Sequence, residues 1–194
     1  MPEIEFDPVD AIAAGAVGVP GQRAFYIQAT KDGKVLSVLV EKEQVAVLAD
    51  RIQVLLDQVA SQFPGEGIGH PAGASSASEI VGDPVPLFRA VAIGIGFDPG
   101  RRLVVLELHE RPVRDADDDE DDDDEDEPSP ELPAEEEAEG YLARLYATPD
   151  QIRAMATGGQ AAVAAGRPPC PLCGNPLDRE GHMCPKLNGH ARRQ

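Results

Sequence analysis

The first pleated pattern in the chain is Arg23–Thr30, where Phe25, Tyr26, Ile27 and Thr30 are the aromatic and β-branched residues that suit an extended strand. Lys31-Asp32-Gly33-Lys34 follows. Asp-Gly tolerates positive φ at both centres of a type I′ turn, so Val35–Val40 is predicted to pair back antiparallel. Beyond Glu41 the period changes. Val45, Leu48, Ala49, Ile52, Leu55, Leu56 and Val59 recur at three- and four-residue steps, a helical stripe that Pro64-Gly65 must end and that should cover one face of the hairpin.

Residues 64–84 hold five Gly, three Pro and three Ser without periodicity and read as a flexible loop. From Leu87 to Phe97 large and small residues alternate, giving a strand whose Gly94 and Gly96 leave a face for close approach. Asp98-Pro99-Gly100-Arg101 is turn chemistry, and Arg102–Glu110 is the returning strand of a second hairpin. Tyr141–Ala147 reads as a fifth strand. Thr148-Pro149-Asp150-Gln151 then has the form of a capping box with Pro at the first helical position. The helix it opens carries Ile152, Met155, Ala156 and Val163; Gly158-Gly159 weakens its middle, and Gly166 before Pro168-Pro169 ends it.

These elements predict an α+β fold: an antiparallel sheet of about five strands, built from two hairpins plus one strand, with two covering helices. The predicted domain takes in residues 1–114 and 140–166, and residues 167–194 form the tail. With 194 residues, no Trp and only eight Phe and Tyr, one aliphatic core is expected.

Charge changes the picture in one place. Of the 35 Asp and Glu, 17 fall within residues 115–139, which contain no Lys or Arg. That run cannot bury apolar surface or hold like charges together, so it is predicted to be a disordered acidic linker. The remaining 18 acidic groups face 17 Lys and Arg. A chain so balanced lacks the clustered cations of a nucleic-acid binder. No stretch approaches the roughly 20 apolar residues that span a bilayer, and the acidic Met1-Pro2-Glu3-Ile4-Glu5 is no basic leader, so a cytoplasmic protein is expected.

The strongest chemical signal is Cys170-Pro171-Leu172-Cys173-Gly174, followed by His182-Met183-Cys184 and then His190. Two thiolates two residues apart can grip one ion from a tight knuckle, and a second pair completes a tetrahedron, with zinc the expected metal. Either His182 or His190 closes a Cys3His set. A closed set leaves no coordination position for substrate or water and therefore predicts a structural role. A redox dithiol is disfavoured because Cys170-x-x-Cys173 follows a helix end instead of opening a helix after a strand. Gly94-Ile95-Gly96 precedes a turn and a strand, so it is no dinucleotide loop. His70, Ser75, Ser76 and Ser78 sit in loop composition that cannot rigidly hold a nucleophile. Glu107 and His109 share a strand face and form the one candidate general base with an orienting partner, although two polar residues near a strand end read first as a solvated edge.

Phe6-Asp7-Pro8-Val9-Asp10, Pro20–Tyr26, Glu41–Val45 and the closing segments Gly166–Gly174 and Gly181–Pro185 together resemble an actinobacterial family catalogued as domain of unknown function 3090. The resemblance runs over nearly the whole chain and implies a cytoplasmic setting and a C-terminal zinc knuckle. It also implies the ligand set Cys170, Cys173, His182 and Cys184. The reading that follows is a binding or adaptor protein with a structural zinc ion and a protein partner. An enzyme or enzyme subunit using the open sheet face near Glu107 and His109 is the alternative.

Overall fold

In a computed structural model, residues 2–63, 79–111, 140–166, 170–175, 177 and 183–187 are described. The acidic run 115–139, residues 64–78 of the predicted loop, and His70, Ser75, Ser76, Ser78, His182 and His190 lie outside the described residues. The chain forms β1 (Glu3–Phe6), β2 (Ala11–Val17), β3 (Ala24–Lys31), β4 (Lys34–Val40), α1 (Lys42–Gln62), β5 (Phe88–Arg89), β6 (Ala92–Asp98), β7 (Leu103–His109), β8 (Leu142–Ala147) and α2 (Pro149–Ala164), followed by a 3-10 turn at Pro185–Leu187.

Both predicted hairpins form. Asp32 and Gly33 take φ of 48° and 75°, the left-handed pair that the type I′ turn requires, and β3 pairs with β4 from Phe25↔Val40 to Lys31↔Lys34. At the second turn the Asp98 carboxylate accepts from the Gly100 and Arg101 amides, and β6 pairs with β7. The capping box of α2 also forms: the Gln151 amide N–H donates to Thr148 Oγ1 (3.3 Å), and the Thr148 N–H donates to Gln151 Oε1 (2.9 Å).

The single antiparallel sheet does not. There are two four-stranded sheets of mixed direction, ordered β2-β3-β4-β5 and β1-β8-β7-β6, in which β1 runs parallel to β8 and β5 parallel to β4. Two causes separate expectation from structure. Glu3, Glu5 and the Ala- and Gly-rich Ala11–Val17 have weak intrinsic strand preference, so β1 and β2 form through their neighbours instead of local propensity. The run 87–97, moreover, is two strands. The Ala90 N–H donates to Leu39 O in the first sheet and the Val91 N–H to His109 O in the second. Gln44, near the start of α1, holds the crossing: its Nε2 donates to both the Ala90 and Val91 carbonyls at 3.2 Å, while its Oε1 accepts from the Glu41 N–H at 2.7 Å.

Both helices and the inner faces of both sheets share one apolar cluster. Ile52 and Leu56 of α1, Ile152 and Met155 of α2, Ile27 and Val38 of the first sheet, and Leu106 and Leu145 of the second are essentially solvent-free. α1 packs on α2 and β6, and α2 on β2 and β7. Gly158-Gly159 is the contact itself. A Cβ on Gly159 would stand 2.9 Å from Val45 Cγ1 and 3.3 Å from Ala14 Cβ, so the lost helix propensity allows α2 to approach both α1 and β2.

The outer face of the first sheet is covered where the sequence reads as loop. Buried Gln28 accepts from the Val81 N–H (2.8 Å), donates to the Val81 carbonyl (3.2 Å) and donates to Ser37 Oγ (3.1 Å), pinning the segment that leads into β5. In the second sheet, Gly94 and Gly96 meet no close approach among the described residues: there an added Cβ at Gly96 would meet nothing within 4 Å, and one at Gly94 only the Glu107 side chain at 3.5 Å.

Candidate metal centre

α2 ends at Ala164, with Ala165 as its C-cap donating to Ala161 O, and five residues after that cap the chain reaches Cys170. The turn there is closed by two backbone hydrogen bonds: the Gly174 N–H donates to Cys170 O and the Cys170 N–H donates to Asn175 O, both 2.8 Å. Gly174 takes φ of 79°, which the missing Cβ makes easy and which lets the chain reverse behind Cys173. Cys184 returns just before the 3-10 turn. The Sγ atoms of Cys170, Cys173 and Cys184 all lie within 4.8 Å of one another, with Cys170 and Cys184 4.0 Å apart. All three lie outside any disulfide; Cys170 and Cys184 are buried and Cys173 is partly exposed.

The local electrostatics favour thiolate at one sulfur. The Cys173 and Leu172 backbone N–H groups donate toward Cys170 Sγ and bring its pKa down to about 6 against the opposing effect of burial. Burial, followed by the neighbouring sulfurs, pushes the Cys173 thiol up, because a second negative charge in the cluster is disfavoured. A cation would remove that conflict. Three clustered sulfurs, one already poised as thiolate, are a donor set that could hold a metal ion.

The family model described as "Protein of unknown function (DUF3090)" matches residues 4–184, from β1 through the last cysteine of the cluster. The chain belongs to the DUF3090 family. No curated protein and no solved structure matches it. The DUF3090 match thus takes in both the two-sheet body and the cysteine turn, and His182 falls inside it.

The Glu107–His109 pair is present on the outer face of β7, with His109 Nε2 3.7 Å from Glu107 Oε2. Glu107 has a stronger partner that the strand reading passed over. Arg144 on β8, directly opposite in register, donates from Nε to Glu107 Oε1 at 2.8 Å and also pairs with Glu3. The alternation of β8, with Ala143, Leu145 and Ala147 buried, was the available signal that Arg144 faces outward beside Glu107. Among the described residues, no helix is long and apolar enough to cross a membrane.

Proposed function

We propose that Cys170, Cys173, Cys184 and His182 hold one zinc ion in a closed Cys3His site, and that the DUF3090 chain is a binding or adaptor protein whose tail the metal folds into a recognition surface for a protein partner. The observation that carries the reading is the sulfur cluster. Tetrahedral zinc with Zn–S bonds of about 2.3 Å places its sulfurs ~3.8 Å apart, close to the 4.0 Å between Cys170 and Cys184. Sulfur ligands in a Cys-x2-Cys turn favour zinc over the oxygen-seeking divalent cations. Four protein ligands leave the ion no open position, so its contribution is to order the tail and not to activate water. The Glu107–His109 alternative has no comparable support, since the Glu107 carboxylate is engaged by Arg144.

Elemental analysis of the purified full chain should find one zinc per molecule. The cobalt-substituted protein should show the absorption of a tetrahedral three-thiolate site, altered in His182→Ala. Metal-free protein at equimolar zinc, or a water molecule bound to the ion, would remove the structural-zinc reading. The adaptor role is tested separately, by affinity capture from cytoplasm with the full chain, with residues 115–139 deleted, and with Cys173→Ser. Proteins retained by the first and lost with the third would establish that the tail recognises them; an identical set from all three would count against it.

A further inference from the structure

A cleft of about 410 Å³ opens where β3 begins, β4 ends, α1 starts and α2 finishes. Its charge is one-sided. Outside residues 115–139 the chain carries 18 acidic and 17 basic side chains, yet the ionisable groups lining the cleft are Arg23, Lys42 and Arg89 with a single carboxylate, Glu41. Glu41 is already paired with Arg89. Arg23 is held in place by an N–H donated to the Ala162 carbonyl at 3.3 Å, which uses one of its five donors.

Lys42 is the most telling of the three. It is the first residue of α1, the helix end where a cation is disfavoured by the peptide dipoles, and it shares the cleft with two guanidinium groups. Its ammonium has no ion-pair or hydrogen-bond partner among the described residues. It lies against the cleft wall, 3.5 Å from where a Cβ on Gly166 would stand. Beside these cations the lining is apolar, with Phe25, Leu39 and Val40.

We propose that this cleft binds a phosphomonoester, with the phosphate on Lys42, Arg89 and Arg23 and an apolar carbon body against Phe25 and Leu39. Three cations and one carboxylate leave two net positive charges, which matches the roughly −1.5 to −2 of a phosphomonoester near pH 7 and exceeds the single charge of a carboxylate. Arginine forks pair with phosphate oxygens bidentately, the lysine adds a point charge, and the volume is in the range of small-ligand sites, about 300–1,000 Å³. The proposal is independent of the metal reading, because every group it uses belongs to the two-sheet body or to Gly166.

The test is calorimetric titration of the full chain, at low salt, with phenyl phosphate, inorganic phosphate and benzoate. Phenyl phosphate should bind saturably and more tightly than the other two. Lys42→Met, which keeps the apolar stem on an exposed helical position, should weaken it about tenfold or more, while Lys42→Arg should retain most of the affinity. Without ligand, Lys42→Met should melt no lower than the parent, since a cation leaves the wrong end of a helix. Absence of saturable binding at millimolar phenyl phosphate, equal affinity in Lys42→Met, or benzoate binding as tightly as phenyl phosphate would each overturn the proposal.

Discussion

In the body the buried side chains are almost all hydrocarbon, Ile12, Ile52, Leu106 and Ile152 among them, whereas from Cys170 onward the buried side chains among the described residues are those of Cys170 and Cys184. The body can therefore draw its stability from removing apolar surface from water, at about 25 cal/mol per Å². The described tail has no such resource. It consists of a turn held by two backbone hydrogen bonds and three sulfurs facing one another, an arrangement that ligand coordination would complete. Body and tail thus differ in what their buried side chains can contribute to stability.

On the zinc site proposed above, removing metal should separate the two regions most sharply. On chelation, the Cys170 and Gly174 amides should lose protection from hydrogen exchange while amides of β3 and β7 keep theirs; loss of protection throughout would show that the regions share one stability. Ile52→Ala, at a solvent-free position of α1, should do the reverse, destabilising the body by about 2–5 kcal/mol in urea unfolding without changing metal content.

Gly159→Ala sharpens the account of the body. On an exposed helix this change would gain about 1 kcal/mol, but here the new methyl meets Val45 and Ala14, so a net loss of about 1–3 kcal/mol is expected. Thr148→Ala should cost about 1 kcal/mol by opening the capping box of α2. The smallest effect belongs to Asp7. Its hydrogen bonds to Arg101 hold its carboxyl below the usual carboxylate range, so the contribution is full above about pH 4 and is lost as pH falls through the lowered value. The gap in urea midpoint between parent and Asp7→Asn should accordingly narrow on going from neutral pH to about pH 3, and a gap that stayed constant would remove the pair as a contributor.

What the sequence revealed about the fold follows the same division between local and non-local causes. The turn at Asp32-Gly33, the α1 stripe and the Thr148–Gln151 box depend on residues a few positions apart, and each formed where expected. The pairing of β1 with β8 joins residues some 140 positions apart, and Ala11–Val17 is a strand because β3 lies beside it; neither leaves a local mark. Gly158-Gly159 was legible as a local weakness but not as a crossing point, since Val45 and Ala14 come from other parts of the chain. At the site, spacing was enough to group Cys170, Cys173 and Cys184. Arg144, set against Glu107 by a register between distant strands, and the cleft cations, each on a separate segment, were not readable from spacing.

The passage from Ala90 to Val91 has a mechanical consequence. One peptide bond carries the main chain from an edge strand of one sheet to the other sheet, and the side chain bracing that step also closes the first turn of a central helix. The same step recurs between β1 and β2, where the Val9 N–H donates to Tyr146 O of the second sheet and the Asp10 N–H to Thr30 O of the first, so the two sheets are tied at two places along the chain.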